Sequence, residues 1–368
     1  MDDAKHEITL EYYTFRDFKN GFIVSNDPLG IASYANIPER NKAFVECPFV
    51  TDEEFVMLTL ARVDGVVAGR GMAFPTLFKA GDEIMAGSGG SSLFVAERYR
   101  DLDVAIDIRT SYPNRKRSNA DISADFSKDG IGVSRALRHN IFSLKKMMLP
   151  LNAQFVLENA GFKGGILKIA TILGNIVLRP MIRLLNCFGY RRLKQYNVTE
   201  LTRIPDWVDN ISLNDGHKYM EVHDHRWFQW CLDNMFHSKP QNKNHFYSVT
   251  KDGKPMGFFM TKERLAGVRT RNISPMLIGS VVEWGCERKS GLCEFDLIKL
   301  AIRTFPKGTD LIQIVSDDEN TIHKTKRLGF VRHGNHFIAH KDVSKRFKEA
   351  KDQTLWRLRF GYADSVMN

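Results

Sequence analysis

The chain has 368 residues, 43% of them hydrophobic and 26% charged, which suits a folded protein of two or three domains and excludes a wholly disordered one. Its net charge of +10 favours anionic partners such as phosphates, CoA-like cofactors, acidic lipid surfaces or nucleic acid, without choosing among them. Five scattered cysteines form no CxxC pair and the N-terminal segment has no apolar leader core, so a reducing, cytoplasmic setting is expected and a zinc module is not.

In chain order, residues 54–75 read as two strands about a turn at Asp64-Gly65, and "GGSSLFVAERYR" as a further strand. A helix is expected from "LDVAIDIRTSY", a short strand over 119–127, a loop and helix over 129–142, and a closing strand over 143–152. The same grammar returns after residue 200. A hairpin turns at Asp252-Gly253, and a strand covers 276–286. "LCEFDLIKLAIRTF" is an amphipathic helix, 309–317 a buried strand, 318–330 a helix closed by Gly329, and 331–341 the last strand.

Between the repeats, residues 153–200 read as a helical, basic and apolar connector that Pro180 should kink or divide. Lys168, Arg179 and Pro180 interrupt its apolar run, so it is not expected to cross a membrane. Two readings stand: a connector packed across both domains, or an interfacial helix over 164–194 resting on an anionic membrane. The expected boundaries are therefore 1–152, 153–200 and 201–368.

The order of elements in the second repeat resembles the Gcn5-related N-acetyltransferase fold. "VSDDENTIHKTKRLGFVRHGNHFIAHK" is similar to that family's closing segment through Asn320, Gly329 and Phe330. In the first repeat, "LFVAERYRDLDVAIDI" resembles the family's valine-led strand followed by Arg-x-x-Gly-x-Gly/Ala; Arg100 and Ala105 match, and Asp103 replaces a glycine. The tail "TLWRLRFGYADSVMN" and "HRWFQWCLDN" also resemble tandem acetyltransferase-fold proteins associated with bacterial surface-polysaccharide genes.

The resemblance implies a mixed α/β fold with two acetyltransferase-like domains in tandem, joined by a helical connector. It further implies acyl-CoA-dependent N-acyltransfer, with acetyl-CoA as co-substrate, no metal, and an amine acceptor on a small molecule or sugar. Cofactor contacts would fall on Val95, Arg100, Asp101, Leu102, Asp103, Val104 and Ala105, where amides at a helix start can face a pyrophosphate. Asp103 opposes this: like charges 4–5 Å apart cost on the order of 3–4 kcal/mol at an effective dielectric near 20. The residues alone equally fit a strand followed by a helix cap, with Asp101 and Asp103 favouring the helix start.

Glu97 is the candidate base and His139 the candidate proton donor, because Thr325 and Leu137 stand where the family places a tyrosine. Each also fits a plainer role, Glu97 as an ion-pair partner and His139 as a solvated side chain. Glu283 stands in the matching strand of the second repeat, which lacks the glycine pattern and is expected not to bind CoA. "GSGGSS" lacks the ending of a phosphate-binding Walker loop, and the His223 and His225 pair has the wrong spacing for a helical metal site. The alternatives in function are a non-catalytic binding or scaffold protein and an aminoacyl-transferase relative that uses charged tRNA. No RNA-binding signature supports nucleic acid.

Overall fold

The computed structural model describes residues 6–111, 113–124, 128–187, 190–236, 240–266, 275–363 and 365–367. The first half contains β1 (Ile8–Thr14), α1 (Phe15–Asn20), α2 (Pro38–Val45), β2 (Val56–Val63), β3 (Val66–Ala80) and β4 (Glu83–Val95). It continues with α3 (Val104–Thr110), β5 (Ala120–Ala124), α4 (Lys128–Ala136) and β6 (Asn140–Pro150). Next come α5 (Ala153–Asn159), α6 (Gly164–Cys187), β7 (Asn197–Leu201), α7 (Trp207–Ser212), β8 (Tyr219–Glu221) and α8 (His225–Asp233). The second half repeats the order of the first: β9 (Lys243–Lys251), β10 (Lys254–Ala266), β11 (Met276–Cys286), α9 (Glu294–Ile302), β12 (Leu311–Ser316), α10 (Glu319–Lys326) and β13 (Val331–Asp342).

Both expected hairpins form, and their Asp-Gly turns hold positive φ at both positions: 51° and 76° at Asp64-Gly65, 50° and 75° at Asp252-Gly253. That geometry matches the twist of the flanking strands, which is why Asp-Gly is the signal for it. The strands join in one mixed sheet of order β1-β2-β3-β4-β5-β13-β6-β12-β11-β10-β9-β7, with β8 beside β3. Its middle is reciprocal. β13 of the second half pairs with β5 and β6 of the first, and β6 pairs with β12 of the second. Each half thus satisfies the open backbone edge of the other, so the sheet runs unbroken across residues 152 and 201. The two largest hydrophobic clusters follow from this, one containing Phe74, Phe78, Trp227 and Trp356, the other Leu149, Trp284, Leu297 and Phe330.

Several expectations need correction. Of the loop and helix expected over 129–142, the helix already starts at Lys128 and stops at Ala136, because Arg138 takes φ +57° and breaks the helical path; residues 140–142 open β6 instead. The strand expected over 119–127 is seen at Ala120–Ala124, and residues 125–127 lie outside the described residues. Pro180 does not divide the connector, since α6 continues through it. Ile176, whose carbonyl loses its backbone partner, and Pro180 are both exposed, so water can satisfy that group. Of α6 only Ile182 and Asn186 are buried, but Ile182 joins Leu193 and Tyr196 of the connector in the cluster that holds Met147 and Leu149 of the first half and Leu297 and Phe330 of the second.

Candidate functional site

Two equivalent clefts follow from the repeat. In the first half, β4 and β5 run parallel and pair only from Gly87 to Gly90 and from Ala120 to Ser123. Beyond that point β4 bulges at Ser92–Leu93, with Ser92 at φ +49°, and the two strands part. Helix α3 packs on β2, β3 and β4 beside the opening, burying Val104 and Ile108 against β3. This contact explains part of the glycine pattern. A Cβ on Gly71 would come 2.5 Å from Ile108, one on Gly89 would come 2.4 Å from the Phe74 ring, and one on Gly90 would come 2.3 Å from Ser123 Oγ. "GSGGSS" is therefore a packing device for a crowded strand, not a phosphate loop.

The cleft is cationic at its base. Arg109 Nη2 donates to Ser123 Oγ at 3.0 Å across the gap between the strands. On the other face of β4, the buried Arg40 donates to Ser92 Oγ at 2.7 Å and to Tyr34 Oη at 2.9 Å. Arg70 lies over the same Tyr34 ring at 4.2 Å and donates to the Ile31 carbonyl; burial pushes its pKa down to about 10. A small cavity of about 10 Å³ remains beside Ser91, Leu93, Ile108 and Arg109, and its lining carries no carboxylate or imidazole. An acyl chain entering here would have to move Arg109 away from Ser123.

The entrance carries the predicted cofactor segment. β4 ends at Val95, residues 97–102 form a 3-10 turn, and Asp103 (φ 56°, ψ 13°) joins it to α3. Asp103 occupies the left-handed conformation that glycine adopts without steric cost, so the backbone keeps the turn while the side chain differs. The first amides of a helix lack intrahelical partners, here those of Val104 and Ala105. Val104 itself is buried, Leu102 and Ala105 are partly buried, and Arg100, Asp101 and Asp103 are exposed. Arg100 reaches Asp129 at 3.7 Å rather than Asp103.

In the second half, β11 and β12 likewise pair only over Ile278–Val281 and Leu311–Ile314, and β11 bulges at Val282. This cleft is filled by the chain's own C-terminal segment. Arg359 is buried, lies 4.5 Å over the Trp284 ring and pairs with Glu294 at the start of α9. Asp296 accepts from the Cys293 amide at 3.0 Å and pairs with Arg192. An incoming pyrophosphate would meet two carboxylates whose cationic partners are internal.

Beside it lies a buried polar network that the sequence did not reveal. Glu283 accepts from Arg357 Nη2 at 2.6 Å and lies 3.0 Å from His223 Nδ1; His223 Nε2 is 3.3 Å from Glu221. Glu221 also accepts from Thr76 of the first half at 2.9 Å and from the Ala363 amide at 2.8 Å. Burial alone would raise the Glu283 pKa, but the charges of Arg357 and His223 outweigh it and hold the carboxyl below its usual value. His223 stacks on Trp227 at 3.7 Å, sealed from solvent. The network ties the tail and both halves together and offers no access to a substrate. His225 is separate: its Nδ1 meets Asp209 at 2.7 Å on the wall of an open groove of about 390 Å³.

Glu97 and His139 are not brought together. Glu97 is exposed on the 3-10 turn beyond β4. His139 precedes Asn140, which lies in the row Gly89, Ile122, His340, Asn140 across four strands. From Gly89 to the end of β4 alone is about 20 Å at roughly 3.3 Å per residue.

No protein-family model and no curated protein matches the sequence. Solved structures do resemble it. The N-myristoyltransferase of Saccharomyces cerevisiae with bound myristoyl-CoA is 12% identical with a TM-score of 0.57, over 90% of this chain and 82% of that one. A GCN5-related N-acetyltransferase from Anabaena variabilis ATCC 29413 is 10% identical with a TM-score of 0.50, over 92% and 73%. At such identities the likeness defines the fold: a mixed α/β chain built from acetyltransferase-like units.

Proposed function

We propose that the protein is an acyl-CoA-dependent N-acyltransferase and that its CoA thioester enters the cleft between β4 and β5. The observation that carries this reading is the asymmetry of the two clefts. The first retains a bulged, parting strand, the left-handed turn at Asp103 and a cationic base, while the second is plugged by Arg359. The fold is shared with an N-myristoyltransferase bound to myristoyl-CoA and with an N-acetyltransferase, which supports a thioester co-substrate. An acetyl group is the acyl chain that makes least demand on so small a cavity, and an amine, on a small molecule or a sugar, is the proposed acceptor.

In this reading the amides of Val104 and Ala105 face the pyrophosphate, while Arg109 leaves Ser123 to admit the acyl arm. Breaking that hydrogen bond costs on the order of 1 kcal/mol, small against the binding energy of a cofactor. Among the described residues the lining of the small cavity is Thr59, Gly71, Met72, Ser91, Leu93, Ile108 and Arg109. The acceptor amine reacts as its free base, so the transfer rate should rise with pH toward the amine's own pKa. The amine nitrogen forms the new bond to the thioester carbonyl carbon, the carbon–sulfur bond breaks, and the amine proton leaves for solvent as CoA thiol is released.

One observation favours a second reading, a binding protein without catalysis: the Arg109–Ser123 contact bars the cleft. Calorimetric titration of acetyl-CoA into the wild type and Asp103→Gly, together with release of CoA thiol in the presence of amines, separates the two. Binding in the wild type, tightened in Asp103→Gly and followed by thiol release, supports the acyltransferase. Binding without thiol release supports the second reading, and no binding at millimolar concentration in either chain ends the first.

A further inference from the structure

The surface carries one feature that acyl transfer does not use. Helix α6 is turned inside out relative to an ordinary helix of a globular protein. Its apolar side chains Ile169, Ile172, Leu173, Ile176, Val177 and Leu184 are each 60–67% exposed. Its polar side chains hold it to the body: Asn175 Oδ1 accepts from the Ala153 amide at 2.8 Å, and Asn175 Nδ2 donates to Asn152 Oδ1 at 3.1 Å. Asn186 is buried and its carbonyl accepts from Arg303 at 3.3 Å. Gly174 lets α5 approach, since a Cβ there would come 2.7 Å from Ala153 Cβ. The helix is thus clamped along one side with its apolar stripe presented outward, an arrangement that costs free energy in water.

What covers the stripe is indicated by charge. Residues 161–199 contain Lys163, Lys168, Arg179, Arg183, Arg191, Arg192 and Lys194 and no aspartate or glutamate. On a helical projection Lys168, Arg179 and Arg183 fall within about 60° of one another, along one edge of the stripe. Long basic side chains at that edge can lay their methylenes on apolar surface while their heads reach anionic groups. We infer that α6 lies flat on an anionic lipid bilayer, its isoleucine–leucine stripe in the acyl boundary and its cations among the headgroups. A second copy of the helix fits less well, because it would set cation against cation. The helix is long and apolar enough to cross a membrane. Crossing, however, would strip Asn175 and Asn186 of their partners and carry Lys168, Arg179 and Arg183 into hydrocarbon. The inference holds whether or not the first cleft takes CoA.

The test is flotation of the full chain with two kinds of vesicle, phosphatidylcholine alone and an equal mixture with phosphatidylglycerol. The expected result is binding to the mixed vesicles at least about tenfold tighter than to the neutral ones, weakening as salt shortens the electrostatic range. Ile176→Asp, at an exposed site, should keep the wild-type melting temperature and lower vesicle binding by more than about tenfold. Lys168→Gln with Arg183→Gln should remove most of the preference for anionic lipid. Absence of binding to mixed vesicles, or binding indifferent to Ile176→Asp, overturns the inference. So does retention on the membrane through alkaline carbonate washing, which would mean a spanning helix. A lipid-independent dimer broken by Ile176→Asp would assign the stripe to a second copy.

Discussion

The first and second halves have the same order of strands and helices and the same parting of two parallel strands, yet they use the opening differently. In the second, an arginine of the C-terminal segment lies where a ligand would enter, and two carboxylates guard the start of α9. In the first, an arginine of α3 reaches across the gap to a serine, with no carboxylate partner in that contact. A few side chains decide between a structural joint and a site.

The largest expected effect comes from the second cleft. Arg357→Met leaves Glu283 buried beside Glu221 without its guanidinium partner and should cost about 3–5 kcal/mol in urea unfolding. Arg109→Met in the first cleft breaks the contact with Ser123 at a half-buried side chain and should cost less than Arg357→Met. Equal losses would erase the distinction between joint and site.

The seam between the halves has its own pH signature. His340 of β13 packs between Phe78 of the first half and Trp356 of the tail, and burial pushes its pKa from 6.5 down to about 4. The unfolded chain binds the proton more readily, so this contribution to stability is complete above the unfolded pKa and is lost as pH falls through the folded one. The loss should approach about 3 kcal/mol below that value, and His340→Leu should flatten this part of the stability curve between pH 6.5 and 4.

A smaller effect separates the two helix starts. Asp103→Gly keeps the left-handed backbone and removes a carboxylate, so acetyl-CoA should bind about tenfold tighter by calorimetry. Removing one carboxylate from the second cleft, by Glu294→Gln, should not create a second binding event, because Asp296 remains. The smallest changes are expected from Glu97→Gln and His139→Gln, which should alter the transfer rate by less than about twofold, since neither lines the first cavity.

The legible parts of the fold were those with local causes. Asp-Gly pairs announced the two hairpins, the apolar spacing of 297–302 announced α9, and Gly329 at φ +96° marked the stop after α10. The exchange of β6 and β13 was not legible, because nothing within either strand marks its partner and the partners lie far away along the chain. At the site, Arg100, Asp103 and Ala105 were read from a motif, and the structure adds the conformation that makes Asp103 a substitute for glycine. Arg40 and the Tyr34 ring were missed, since a single arginine on a helix carries no sign of what it will face. The tail offered a fainter sign: Arg357 and Arg359 alternate with apolar residues in "LWRLRF", and both prove buried.

Hydrogen–deuterium exchange with and without saturating acetyl-CoA tests the difference between the clefts most directly. Protection is expected over residues 91–109, with residues 284–302 unchanged. Protection over 284–302, or over both segments equally, would contradict that difference.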